Sequence, residues 1–431
     1  MNSTLHHGAS LTNQPSFSAS SRLSPLDHPS LRWPQYELDE QEAVRAVLAS
    51  GRVNSLVHGH QTRAFETEFA AYCGVPHAIA VSNGTVALEL AMRALGIGPG
   101  DEVIVPSRSF FATAASVVAV GASPTFADID PVSQTIDIAS ARAMITERTK
   151  AILCVHLGGW VCDMDGLAAL ARHAGIFLIE DCAQAHGATY RGRQVGSFGD
   201  AAAFSFCTDK IISTGGEGGM ALFRTEDHWA TAWAYKDHGK NPAKVFAPAT
   251  GHGFRYIHDS FGTNWRLTEM QSAIGRAQLA KLPRWLDRRR RNAGILMHLL
   301  SDDQRIEIPS IPVHIEHSFY RLYLLISHDA LGDERTTARI IEHMNQAGIP
   351  VGSGSCADMS LETAFAGQLS PQRDGWLKNA RSVADRTLAL PVDHLLDEMD
   401  MERMASGLRG ALNEIIPISR IRTHDHSDRA A

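Results

Sequence analysis

From residue 77 to residue 187 the chain alternates between short apolar runs and segments whose apolar residues recur at helical spacing. "HAIAVS" (77–82) reads as a strand and "TVALELAMRALGI" (85–97) as a helix. "DEVIVPS", "SPTFADID", "TKAILCVHL" and "IFLIEDCAQAHG" continue the strands, while "SFFATAASVVAVG" and "DGLAALARHAG" supply helices. Strands this continuously apolar have no polar face to turn to water. They require a mostly parallel sheet covered by helices on both sides, an α/β fold with an α-β-α sandwich. Ligands in such folds collect beyond the carboxyl ends of the strands.

After about residue 285 the rhythm changes. "RWLDRRRRNAGILMHLL" reads as a long helix with a solvated basic face, "FYRLYLLIS" as a strand, and "RTTARIIEHMNQAGI" and "DEMDMERMASGLRGALNEII" as helices. The expected organisation is a leader at 1–30, a large domain at 31–285, a smaller C-terminal α+β domain at 286–418 and a tail at 419–431. The leader is rich in Ser, Pro, Asn and His and has no apolar signal core, so it and the tail are expected to be disordered.

Composition narrows the function classes. The net charge is −7, which gives no support to a nucleic-acid surface. "ATAASVVAVGASP" is too short and interrupted to span a bilayer, and a cytoplasmic location is expected. The six cysteines include no CxxC pair and the histidines no HExxH, so no metal site is expected. Most of the cysteines read as small buried hydrophobes.

Chemistry is placed at three strand ends. "AVSNGTVAL" sets Asn83, Gly84 and Thr85 at a strand-to-helix turn, either a plain N-cap or a site for phosphate or carboxylate. "LIEDCAQAHGA" ends an apolar run in Glu180 and Asp181. A carboxylate buried there needs a cationic or hydrogen-bonding partner: a protonated heteroaromatic nitrogen, an arginine or a helix N-terminus. The third end carries a lysine. Of the seven lysines, only Lys210 follows an apolar strand ("AAAFSF") and precedes a glycine cluster ("STGGEGG"). Lysine can attack a carbonyl to form a Schiff base and arginine cannot, so Lys210 is either a covalent cofactor residue or a snorkelling loop lysine. An anion turn, an acid and a lysine together suggest pyridoxal phosphate (PLP).

The segments "FETEFAAYCG", "SNGTVALELAMRALGIGPGDEVIVPS", "VHLGGWVCDMDGL", "IEDCAQAHGATYRGRQVGSFGDAAAFSF", "GGEGGMALF" and "GTNWRLTEMQSAIG" resemble the DegT/StrS-type sugar aminotransferases, a branch of the fold type I PLP enzymes, across about residues 35–415. The resemblance implies that Lys210 holds PLP as a Schiff base and moves the proton during transfer. It implies that Asp181 pairs with the pyridinium nitrogen, Gln184 lies near the phenolic oxygen and Phe110 stacks on the ring. Gly84, Thr85 and Ser205 would bind the phosphate, and Asn264 would reach the partner's phosphate across a homodimer with composite sites. His186 and Glu217 match family positions without an assigned catalytic role, a structural one being expected for His186.

The implied reaction carries an amino group from an amino acid, L-glutamate, to a keto sugar, a nucleotide-diphosphate-linked 3- or 4-keto sugar. A cyclitol ketone of the inosose type is the alternative acceptor, and a non-catalytic PLP-binding regulator a remote alternative. Relatives that dehydrate sugars carry histidine in place of Lys210, which argues against that chemistry here. The segment 236–260, with Lys236, Lys240 and Arg255, is either a solvated loop or a diphosphate contact. Two departures from the family pattern bear on the acceptor: Ile211 stands where many relatives have Asn, and "VNSLVHGHQ" replaces an aromatic-rich entry. Leu267 for a frequent Met conserves volume.

Overall fold

The computed structural model describes residues 33–56, 59–248, 255–333, 335–366 and 377–417. The expected leader at 1–30 and tail at 419–431 lie outside these residues. In chain order the strands are β1 (His77–Val81), β2 (Glu102–Pro106), β3 (Ser123–Ala127), β4 (Thr149–Val155), β5 (Phe177–Asp181), β6 (Thr189–Tyr190), β7 (Arg193–Gln194), β8 (Ala201–Ser205), β9 (Gly219–Phe223), β10 (Ile306–Glu307), β11 (Ile315–Glu316), β12 (Leu322–Ile326) and β13 (Thr387–Leu390). Seven of them form the central sheet in the order β1-β9-β8-β5-β4-β2-β3. Pairing is parallel from β8 through β3, and only β9 runs against its neighbours, antiparallel to both β8 and β1. The α/β sandwich read from the apolar rhythm is therefore the observed architecture.

Both faces of the sheet are buried. Ile104 and Leu178 face a cluster that includes Phe65 and Phe69 of helix Gln61–Cys73 and Leu167 of helix Met164–Ala174. Val103, Val105 and Ile179 face the other side, with Leu88, Leu90 and Val117 from helices Gly84–Ala94 and Ala112–Ala119. Alternation along each strand decides which side a residue serves. Caps set the helix starts: the Asn83, Asp163 and Thr225 side chains each accept a hydrogen bond from a first-turn N–H.

The smaller lobe wraps β10, β12 and β13 with helices Thr336–Gln346 and Glu398–Ile415 around a core of Leu324, Ile340, Leu388, Met404 and Leu408. One helix, Glu269–Leu300, serves both lobes. Leu279, Leu282 and Leu286 pack in the large-lobe core, and Ala293, Leu296 and Leu300 in the small-lobe core. The 285/286 boundary read from composition falls inside this helix, which runs upstream through Pro283 to a capping box made by Thr268 and Gln271.

In the arginine run 288–291, Arg288 and Arg291 are exposed as expected of a solvated face, and Arg289 and Arg290 depart from it. Arg289 is buried, and Arg288, Arg289 and Arg290 donate to the carbonyls of Leu396, Phe319 and His317 at 3.1 Å. Guanidinium groups here satisfy carbonyls of loops that have no ladder partner. Among the described residues no helix is long and apolar enough to cross a membrane.

Candidate active site

The carboxyl ends of β1, β2, β5 and β8 open into one cavity of about 920 Å³, closed on the far side by Tyr320, Arg321, Tyr323 and the 350–356 loop of the small lobe. Gly84, Thr85, Phe110, Asp181, Gln184, Ser205 and Lys210, far apart in sequence, all line it. Asn264 does not. It is exposed and bridged through its backbone to Asp237.

The first element is the capped turn at the start of helix Gly84–Ala94. Asn83 caps helix Gly84–Ala94 by accepting from Val86 N at 3.0 Å. The N–H groups of Gly84 and Thr85, in the same first turn, have no helical acceptor and sit at the positive helix end. Ser205 at the end of β8 lies against this turn: a Cβ on Gly84 would fall 2.6 Å from Ser205 Cβ. Only glycine lets the turn and the Ser205 hydroxyl share one cradle, of a size and polarity that suits a phosphate.

The second element is Asp181, the last residue of β5, buried and facing the cavity. Its carboxylate accepts from Thr113 Oγ1 at 2.9 Å and Ala183 N at 3.1 Å. Burial raises its proton affinity above the ordinary aspartate range, against these hydrogen bonds and the Lys210 and His156 charges. A protonated ring nitrogen placed beside it would offset that penalty. Glu180, one residue earlier, points to the opposite face. It accepts from the N–H groups of Gly196, Phe198 and Gly199 at 2.7–2.8 Å and lies 3.2 Å from His156 Nε2. Of the adjacent acids, one ties a loop and one serves the cavity. His156, Glu180 and Cys182 bring ligand atoms within 4.8 Å of one another, but the Glu180 oxygens are already occupied.

The third element is Lys210. Its Nζ lies 3.3 Å from Asp209 Oδ2 and 4.9 Å from the centre of the Tyr320 ring. Its carbonyl accepts from the Trp33 indole at 2.8 Å, and its N–H donates to Cys207 O at 3.0 Å. Gln184 Oε1 accepts from Gly158 N at 2.7 Å, which leaves its amide N–H groups as donors. Phe110 is 64% exposed and precedes helix Ala112–Ala119. The helix predicted from Ser109 thus begins three residues later, freeing the ring to face the cavity mouth.

The packing places the remaining residues singled out in the sequence. Ile211 is fully buried in the large-lobe core and does not line the cavity, so that departure has no direct contact with an acceptor. His186 is buried against Phe204 and Phe206, and burial, aided by the Lys210 charge, lowers its pKa to about 3. Lys236 is buried with Nζ over the Trp233 ring, Lys240 pairs with Asp237 at 2.7 Å, and Arg255 donates to Lys244 O, so none of these cations lines the cavity. Residues 249–254 of that segment lie outside the described residues. Cys207 and Cys356 line the cavity, unlike the four buried cysteines.

Thr113, Asp209, Tyr320, Arg321 and Tyr323 line the cavity without having been read from the sequence. Asp209 was detectable as the neighbour of Lys210. The three from "FYRLYLLIS" were not, since nothing local indicates that this strand entry meets a sheet edge more than a hundred residues away.

The profile of the DegT/DnrJ/EryC1/StrS aminotransferase family matches residues 34–409. The chain is 38% identical over 392 residues to GDP-perosamine synthase of Caulobacter vibrioides, a match that covers 90% of this chain and 99% of that protein. It is 37% identical over 360 residues to the UDP-N-acetyl-3-dehydro-alpha-D-glucosamine 3-aminotransferase of Acidithiobacillus ferrooxidans, covering 83% and 90%. Its fold superposes on the solved aminotransferase from Psychrobacter cryohalolentis with a TM-score of 0.85 and 43% identity, over 89% of this chain and 99% of that one.

Proposed function

Because the chain belongs to the DegT/DnrJ/EryC1/StrS aminotransferase family, we propose that it transfers an amino group from L-glutamate to a nucleotide-diphosphate-linked 3- or 4-keto sugar, with PLP held in the cavity described above. The observation that carries this reading is the convergence of a lysine amine, a buried carboxylate and a glycine-dependent anion turn on one cavity. The names of the two relatives, both nucleotide-sugar enzymes, support the acceptor class.

In this reading the N–H groups of Gly84 and Thr85 and the Ser205 hydroxyl bind the phosphate. Asp181 holds a proton on the ring nitrogen, steadied by Thr113. Gln184, oriented by Gly158, donates toward the phenolic oxygen, and Phe110 covers the ring face at the cavity mouth. PLP supplies an electron sink for the charge left when a C–H proton departs. Lys210 would anchor the cofactor through its amine, and the same Nζ would take and return that proton. Asn264, outside its own cavity, contributes to the partner's site in a homodimer.

The test combines site and substrate. Borohydride reduction of the PLP-loaded protein is expected to fix the label on Lys210, and Lys210→Ala to abolish fixation and lower turnover by about 10²–10⁴-fold. Label on another lysine overturns the site. L-Glutamate alone is expected to yield one equivalent of 2-oxoglutarate, and a panel of nucleotide-linked keto sugars and an inosose then identifies the acceptor. Turnover with the inosose alone overturns the nucleotide-sugar assignment. A cofactor spectrum that no amino donor alters overturns the catalytic one.

A further inference from the structure

Asp209 is joined to two groups at once. Its carboxylate accepts from the Lys210 ammonium at 3.3 Å and from the Tyr320 hydroxyl, and the Tyr320 ring lies under Lys210 Nζ at 4.9 Å. Lys210 and Asp209 belong to the large lobe, Tyr320 to the segment that leads into the small-lobe strand β12.

That segment is held in place by more contacts than an ordinary strand entry needs. Phe319 has φ of 51°, a left-handed backbone that a phenylalanine adopts only when its surroundings impose it. Here Phe319 N donates to His317 Nδ1 at 2.8 Å, while the buried Arg289 donates to the Phe319 and Tyr320 carbonyls at 3.1 and 3.5 Å. Ser318 N and Arg321 N donate to the carbonyls of Gly159 and Gly158, the latter being the residue that orients Gln184. A Cβ on Gly159 would meet Ser318 Oγ at 2.5 Å, so this close approach depends on glycine. The strained turn delivers the Tyr320 hydroxyl to Asp209 from across the lobe boundary.

Resting on the assignment of Lys210 as the cofactor lysine, we propose that Asp209, braced by Tyr320, is the positioning residue for that lysine: it receives Nζ when the amine is displaced and keeps it within reach of the reacting atoms. A displaced lysine on a glycine-rich loop has many rotamers in which it cannot return a proton. A carboxylate one residue away selects few of them, and the Tyr320 hydrogen bond prevents that carboxylate from turning to solvent, since the Asp209 side chain is 49% exposed. Burial disfavours the Asp209 charge, yet the Lys210 ammonium and the Tyr320 hydroxyl outweigh it and hold the carboxyl below its ordinary range, so it stays an anion through the working pH interval. The other charged or titratable groups facing this pair are Cys207 and Glu217 on the same loop, Asp181 and His186 from the β5 side, and Arg321 and Tyr323 from the small lobe.

The experiment is a spectral pH titration of PLP-loaded Asp209→Asn, Tyr320→Phe and Asp209→Glu proteins, with peptide mapping of the reduced label in each. A nearby carboxylate favours the protonated form of the Schiff-base nitrogen. Its removal in Asp209→Asn is therefore expected to lower the spectral midpoint by about one pH unit, with a smaller drop in Tyr320→Phe and recovery in Asp209→Glu. In steady-state assays kcat falls about tenfold in Asp209→Asn while the donor KM changes little, as expected for a group that acts after substrate binding. Label on Lys210 with an unmoved midpoint in both Asp209→Asn and Tyr320→Phe overturns the positioning role alone. Label absent from Lys210 in the wild type overturns the cofactor assignment itself.

Discussion

Two buried histidines show how single residues couple this fold to pH. Burial, with the Lys210 charge for His186 and the Arg290 charge for His317, lowers the pKa of each from an ordinary 6.5 to about 3. The unfolded chain therefore binds these protons more readily than the folded one. Stability is complete above about pH 6.5 and lost as pH falls toward 3. His156 behaves oppositely: burial works against its charge, but Cys162 and Glu180 raise its pKa to about 10. Its stabilising share is full below 6.5 and adds no slope there. Denaturant titrations between pH 5.5 and 4.5 are expected to lose about 1.4 kcal/mol per pH unit for each of the two histidines, with about half that slope at pH 6.5. His186→Phe, which suits the pocket between Phe204 and Phe206, should remove one of those two proton slopes; an unchanged slope would show that His186 titrates normally. Lys210 and Asp181 were legible at this scale because their chemistry is unusual at a strand end. His186 was legible only as a motif position, since its desolvation depends on rings that come from another strand.

Among the elements, helix Glu269–Leu300 carries the most structural responsibility. Near its start Glu269 accepts from the backbone of Gln61 and Thr62, and Gly275 lies against Phe65 so closely that a Cβ would meet the ring at 2.5 Å. Gly275→Ala is expected to destabilise the protein by about 1–3 kcal/mol through overpacking, although alanine has the higher helix propensity. A denaturant midpoint equal to or above that of the wild type would show that Phe65 moves aside without penalty. The periodicity of "RWLDRRRRNAGILMHLL" announced the second half of this helix. The first half was obscured by Pro283 and by a composition that changes where the helix passes from one core to the other. Strands β1 to β5 and β8 and helices Gly84–Ala94, Ala112–Ala119 and Met164–Ala174 were read from the sequence, because a strand buried on both faces must be apolar throughout and its flanking helices must not be; the antiparallel strand β9 was not read. The short strands β6, β7, β10 and β11 had no such signature, being two residues each.

At the scale of the whole molecule, the exposed position of Asn264 outside its own cavity leads to a test of shared sites. Lys210→Ala and Asn264→Ala proteins, each poorly active alone at limiting PLP, are expected to regain activity when mixed and reassociated, because a mixed pair contains one site with both residues intact. No recovery on mixing, with subunit exchange verified, would place Asn264 in its own site or in none. The sequence by itself determined the α/β layering, the strand ends that open into the cavity, and the lysine, acid and glycine turn found there. These follow from hydrophobic period and from side-chain chemistry, which are local properties. Only the tertiary structure decided that Glu180 faces away while Asp181 faces the cavity, that Ile211 belongs to the core, that the arginine run satisfies loop carbonyls, and that Tyr320 reaches Asp209. Each of these depends on which face of a strand or helix meets which distant segment, and that is settled by burying apolar area and pairing polar groups across the whole chain at once.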